Sequence, residues 1–297
     1  MQRTGRGRSG IGQKMAITFI LAVIAAAMLM PVIITFTNSL MSEKEIGINY
    51  GWIGKMSDAS AGGTSRFVNM KLLPDRVTPE QYASVLVLNA GYLRMFWNSV
   101  GMALPIVAGQ TLVGALASYA FAKLHFRGRD SLFLLYVLTM LMPFQVTLVP
   151  NYIMAGKLGL LNSPSAIIGP GIFAAFGVFM LRQFALHIPY SYIEAAKMDG
   201  AGHLRIFRSI MMPMIKPGVA ALAVLLFADY WNMVEQPLIF LSDPLKQPLS
   251  VYLSQANEGE RGIAFAASML YMTPMVLLFF YAETYFIEGI QLSGIKG

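Results

Sequence analysis

Met15–Ser42 contains no charged residue, and neither do Met95–Ala122, Ser131–Gly156 or Leu158–Leu181. Each is longer than the roughly 20 residues of helix needed to cross about 30 Å of hydrocarbon. Two more apolar runs follow: Pro217–Ser242, interrupted by Asp229 and Glu235, and Gly262–Phe286, clean until Glu283. A backbone in lipid must satisfy its own polar groups, which leaves helices or a closed barrel. Barrel strands would read as short alternating segments, and this sequence has none. The expected fold is therefore an all-α polytopic membrane protein with six transmembrane helices. Only 12% of residues are charged, where a soluble domain carries about a quarter. The basic leader before Met15 resembles that of a signal peptide. The apolar run behind it is too long for one and no small-residue cleavage site ends it, so it is expected to stay as the first span.

Charge between the spans sets the orientation. With the N-terminus inside, the inner segments hold 13 basic and 4 acidic residues, and the outer segments 9 basic and 8 acidic. Inside is thus +9 and outside +1, with both termini inside (N-in/C-in). This distribution accounts for the net charge of +7 as a topology signal and an attraction to anionic lipid headgroups. No nucleic-acid partner is expected. The division that follows is a basic N-terminus (1–14), a first helix (15–42), an external segment (43–94), a five-helix core (95–286) and an inner tail (287–297). The external segment is either a small ordered cap or a loose loop.

Absences narrow the chemistry. The chain has no cysteine, so disulfides and thiolate sites are excluded. There is no Gly-x-x-x-x-Gly-Lys-[Ser/Thr] phosphate loop, so active transport would need an energy source on another chain. His125, His187 and His203 all fall in inner loops. No His-Glu-x-x-His or Gly-x-Ser-x-Gly occurs, so no catalytic or metal site is expected.

Between the fourth and fifth spans lies a polar insert, residues 189–213. Ser191-Tyr-Ile-Glu194 has the form of a capping box, Pro189 blocks extension backwards, and Gly200 is suited to end the helix in the left-handed region. A first short helix is expected over Tyr192–Asp199 and a second over His203–Met212, stopped by Pro213. Two readings of the resulting hairpin stand at this point. It covers the bundle as an amphipathic surface element, or it is a handle that another protein grips.

Glu194-Ala-Ala196, then Gly200, then Ile210-x-Met212-Pro213 resembles the EAA loop of ATP-binding-cassette (ABC) importer permeases, with Met212 where Leu is usual. The likeness extends to the oligosaccharide branch, the second permease of maltose-type systems. It runs through Phe96-Trp-Asn-Ser99, Ala117-Ser-Tyr-Ala-Phe-Ala122, Phe126-Arg-Gly-Arg129, Gly159-Leu-Leu-Asn-Ser163, Trp231-Asn232 with Pro237-Leu238, and the tail Gly294-Ile-Lys-Gly297. It covers Met95–Gly297 well and 43–94 weakly. The resemblance implies a type I ABC importer permease fold in the inner (cytoplasmic) membrane of a prokaryote. It implies a cytoplasmic ATPase dimer that carries ATP and magnesium, with no cofactor on this chain. It also implies a second, homologous permease forming a heterodimer, and an extracytoplasmic solute-binding protein. Ser191, Glu194, Ala195, Ala196, Asp199, Gly200 and Arg205 would then couple to the ATPase, and Gly294 and Lys296 of the tail would contact it.

Asp229, Tyr230, Trp231, Asn232 and Glu235 bring charge and aromatic surface into the fifth span. Charges at that depth usually face a bundle interior or water. Rings plus hydrogen-bonding side chains suit a sugar path, and the same residues suit helix–helix glue equally. A proton-coupled carrier using Asp229, Glu235 and Glu283 is the rival reading, and it leaves the insert unexplained. Prolines at 105, 143, 150, 164, 170, 237 and 274 are expected to interrupt the spans.

Overall fold

A computed structural model describes residues 7–50, 71–88, 90–255 and 261–294, with 7–11 and 284–294 as backbone alone. In chain order the helices are α1 (Gly7–Ser39), α2 (Glu43–Tyr50), α3 (Glu80–Ala83), α4 (Ala90–Lys123), α5 (Arg129–Met140), α6 (Phe144–Lys157), α7 (Ser165–Ile172), α8 (Ala175–Leu186), α9 (Tyr190–Met198), α10 (His203–Ile206), α11 (Met212–Met214), α12 (Lys216–Trp231), α13 (Glu235–Phe240), α14 (Leu249–Ser254) and α15 (Arg261–Gly294). No strand occurs among the described residues. Four helical stretches are long and apolar enough to cross a membrane: Gly12–Ser39, Ala90–Lys123, Ser165–Leu186 and Arg261–Glu283. The number rises to six if each of two bent pairs is one span. These pairs are α5–α6, bent by 99°, and the 203–214 segment with α12, bent by 74°.

The proline expectation holds in part. Pro143 stands at the α5–α6 bend and Pro164 precedes α7. Pro105, Pro150, Pro170 and Pro274 instead lie inside helices. Apolar spans tolerate such prolines because neighbours and local adjustments satisfy the freed carbonyls.

The chain forms two compact units. The first comprises residues 1–90 with 256–270. In it, the described parts of the 43–94 segment are hydrogen-bonded rather than loose. The Glu45 carboxylate accepts from the Asp75 backbone N–H at 2.8 Å and meets the Lys71 ammonium at 3.3 Å. Gln81 donates to Glu43 at 3.0 Å, the Ser39 and Tyr82 hydroxyls lie 2.8 Å apart, and the Thr78 N–H donates to the Leu40 carbonyl at 2.9 Å. Met41, Ile46 and Tyr50 bury their side chains against Phe265, and Arg261 donates to the Tyr50 carbonyl. Residues 51–70 lie outside the described residues.

The second unit comprises residues 91–255 with 271–297 and holds both candidate sites. Its frame is α4, about 50 Å long at 1.5 Å per residue. A Cβ added to Gly114 of α4 would sit 2.9 Å from the Gly177 carbonyl carbon of α8, so the two helices meet backbone to backbone. Beside this contact, α7 and α8 are separated at Phe173–Ala174. A helix break strands backbone groups that must find other partners. In the orientation that satisfies both its neighbours, the buried Gln110 amide donates to the Gly171 carbonyl at 3.0 Å and accepts from the Gly177 N–H at 3.3 Å. At the far end of α4, Asn98 donates to the carbonyls of Leu245 and Gln247 at 2.8 and 3.0 Å, and Ser99 accepts from the Leu249 N–H at 3.0 Å. These bonds fasten the 243–255 loop to α4.

Candidate functional site

The 189–213 insert folds as a helical hairpin, with one correction to its start. Helix α9 begins at Tyr190, directly after Pro189, and no side chain caps it. Ser191 is therefore the second helical residue, and the capping box with Glu194 does not form. The cause is Pro189: φ −59° and ψ 139° make it the non-helical flank itself, so the helix gains residues that the capping-box register leaves out. At the other end the expectation holds. Gly200 has φ 77°, the Ala201 N–H donates to the Ala196 carbonyl at 2.9 Å, and the Gly200 N–H donates to the Lys197 carbonyl at 3.0 Å. This is the Schellman closure, which favours glycine at that position. The second arm also departs from expectation. It passes from α10 through a wide turn at Phe207–Met211 into α11, and Pro213 lies within it rather than ending it.

The hairpin has two unlike sides. Ile193, Ala196, Ile206, Phe207 and Met211 are buried in one apolar cluster with Leu181 of α8 and Leu222 of α12. Two polar contacts add to this anchor. The Tyr119 hydroxyl of α4 lies 3.0 Å from the His203 ring nitrogen, and the buried Lys123 ammonium donates to the Ile188 carbonyl at the hairpin's entry. The opposite side is open. Ser191, Glu194, Ala195, Asp199, Gly200 and Arg205 are all exposed there, whereas Ala196 is packed against its own chain. Sequence reasoning missed the apolar part of this surface: Met198 is 84% exposed and Leu204 76%, on either side of Gly200, with Tyr192 half exposed. The sequence alone does not single them out, since the insert also holds Ile193, Ile206, Phe207, Ile210, Met211 and Met212.

The second candidate site is a cavity of 670 Å³ formed where helices break. Gly171 and Ala174 border it from the α7–α8 break, Asn232 to Gln236 from the α12–α13 break, and Phe144 and Asn151 from α6. Asp229, Tyr230, Asn232 and Glu235 line it together. Trp231 does not. It is 1% exposed, stacks on Phe227 and Tyr271 at ring separations of 5.0 and 5.4 Å, and donates its indole N–H to the Tyr271 carbonyl at 3.0 Å. The Tyr271 hydroxyl shares its one proton between the Trp231 carbonyl at 2.6 Å and the Asn232 side-chain oxygen at 3.0 Å. Trp231 is thus the packed support behind a wall that its neighbours form. Phe144, Asn151 and Gln236 were not anticipated; the amides stood out only as polar residues in apolar runs. Glu283 is exposed on α15 and does not border the cavity, so the three-carboxylate relay is not assembled there. Of the tail, Gly294 is the last residue of α15, and Lys296 lies outside the described residues.

Comparison with known proteins places this architecture. The family model for the binding-protein-dependent transport system inner membrane component matches residues 110–291. The arabinooligosaccharides transport system permease protein AraQ of Halalkalibacterium halodurans is 33% identical over 75% of this chain and 81% of its own length. The lactose transport system permease protein LacG of Rhizobium radiobacter is 33% identical over 68% of this chain and 75% of its own. A solved bacterial ABC transporter involved in import of the acidic polysaccharide alginate shares the fold, with a TM-score of 0.76 at 23% identity over 96% of this chain and 100% of that one. The family match runs from the middle of α4, through the hairpin and both helix breaks, into α15; this chain belongs to the family of inner membrane components of binding-protein-dependent transport systems, and it is a permease subunit of an ABC importer rather than an enzyme.

Proposed function

We propose that the chain is one of two unlike permeases in an oligosaccharide importer of a prokaryotic cell membrane. It crosses the bilayer six times, with both termini and the hairpin inside and the 43–94 and 243–261 segments outside. The charge distribution, the four long apolar helices and the two bent pairs support this topology. The substrate class follows the names of the relatives above, which are transport proteins for arabinooligosaccharides and lactose. The residues along the cavity have the matching chemistry, with ring surface from Phe144 and Tyr230 beside amides and carboxylates that bond hydroxyl groups.

The observation that carries the reading is the two-sided hairpin. Its inner side is fixed to α4, α8 and α12, and its outer side presents Met198 and Leu204 around Gly200 to whatever docks. An element so built transmits force as a rigid body. A cytoplasmic ATPase dimer, holding ATP and magnesium, grips the exposed side through Glu194, Ala195, Asp199, Gly200 and Arg205. When the dimer closes on ATP, the hairpin and its anchored helices turn together, and the cavity changes the side to which it opens. ATP drives the switch because it binds the closed state more tightly. The solute-binding protein delivers cargo from outside, and the tail, including Gly294 and Lys296, adds a second ATPase contact.

The test is Gly200→Asp in the assembled importer. The expected result is a chain that inserts normally but no longer retains the ATPase and loses transport-coupled hydrolysis. Normal assembly with normal transport would overturn the proposal. Because the chain has no cysteine, Asp199→Cys and Lys246→Cys report topology cleanly. An impermeant thiol reagent applied to whole cells should label the second and spare the first.

A further inference from the structure

We infer that the cavity at the helix breaks is a charge filter, open to uncharged oligosaccharide and closed to acidic glycans. The inference rests on the proposed role of the chain as an oligosaccharide permease and adds the charge of the cargo to it. Two carboxylates, Asp229 and Glu235, border the cavity, and among the described residues no Lys, Arg or His borders it. Both side chains are exposed into that space, and neither has an ion-pair partner among the described residues. A site built for acidic sugars supplies guanidinium or ammonium groups, because paired charge is what holds a desolvated carboxylate or phosphate. This wall carries the opposite sign. Flanked by low-dielectric helix and lipid, an uncompensated pair of like charges projects its field across the opening instead of losing it to solvent. The remaining polar side chains of the wall among the described residues, the amides of Asn151, Asn232 and Gln236 and the Tyr230 hydroxyl, are uncharged donors and acceptors. A hydroxyl-rich neutral sugar satisfies both kinds of group, since its O–H groups donate to the carboxylates and its ring faces lie against Tyr230 and Phe144. A uronate or phosphate group would place an anion beside two carboxylates, where the wall offers it uncharged N–H and O–H donors but no cation among the described residues.

The absence of native cysteine allows the field to be measured directly. Ala174→Cys places a thiol on the cavity wall, and Met233→Cys repeats the measurement from the α12–α13 break. Each is made in the full importer, with partner subunits free of accessible thiols, reconstituted in proteoliposomes. The rates of reaction with an anionic and a cationic methanethiosulfonate reagent are compared with the same ratio for free 2-mercaptoethanol. The anionic reagent should be disfavoured by about tenfold or more at both positions, as expected for a like charge a few ångströms from an unscreened carboxylate. The ratio should return towards the free-thiol value in Asp229→Asn/Glu235→Gln. A ratio equal to that of the free thiol, a ratio unmoved by the double substitution, or no reaction with either reagent would each overturn the inference. Uptake of maltotriose and arabinotriose by the same vesicles tests the underlying role separately. If neither neutral sugar enters while the anionic reagent is still excluded, the oligosaccharide assignment fails and the filter's sign stands.

Discussion

The hairpin's underside and the helix-break cavity lie in the same unit and could hardly be packed more differently. Beneath the hairpin, side chains from four segments close into a dry cluster, and its polar contacts are few and directed, Lys123 to Ile188 and Tyr119 to His203. Around the cavity, Asp229, Asn232 and Glu235 stand exposed to open space, Asn151 is half-buried and Gln236 buried, and Asn232 is tied on both sides, to Ala228 and Tyr271. On the proposed function, the contrast separates two tasks. A part that must pass on motion without distortion is filled, because interiors at native density transmit strain rather than absorb it. A part that must take in and release cargo keeps its hydrogen-bonding capacity unspent.

The comparison is broken most severely from the filled side. Met211 is fully buried, and Met211→Ala should cost about 2–5 kcal/mol; the complex should show a lowered thermal midpoint in detergent and impaired assembly with the ATPase. Next is Lys123→Met, which keeps the apolar stem and strands the Ile188 carbonyl. A loss of about 1–3 kcal/mol is expected, read as ATP hydrolysis that continues while substrate uptake falls. Gly200 separates backbone strain from partner contact, since a Cβ there meets nothing within 4 Å in this chain. Gly200→Ala should destabilise by about 1 kcal/mol through its φ alone, and Gly200→Asn by less. If both variants abolish ATPase retention equally, a docking subunit occupies that space. Ser191→Ala should be the mildest, within about 0.5 kcal/mol, because no capping bond is present to lose; a larger drop in thermal midpoint would mean that Ser191 does cap α9.

What could be read in the sequence follows from which forces act locally. The four long apolar helices were legible because lipid exposure forbids charge over a whole helix, and the turn at Gly200 because the left-handed region admits few other residues. The start of α9 was not legible, since Pro189 and Ser191 compete for the same boundary and only the backbone conformation at Pro189 shows which of them flanks the helix. The fate of Trp231 depended on Phe227 and Tyr271, residues 4 and 40 positions away that no local pattern links to it. Nothing local marked Met198 and Leu204 as outward-facing, because hydrophobicity alone does not say which way a short helix is turned. The cavity itself arises from two interruptions, at Phe173–Ala174 and Asn232–Val234, and only the second carries a polar signal in the sequence.

One helix joins these regions to a third. The same α4 holds Tyr119 and Lys123 against the hairpin and, across its length, Asn98 and Ser99 against the loop that follows α13. A tilt imposed at either extremity is therefore carried to the other along the backbone of one continuous helix, with Pro105 lying between the two attachments. On the proposed topology, news of cargo on one face and of fuel on the other has a common carrier.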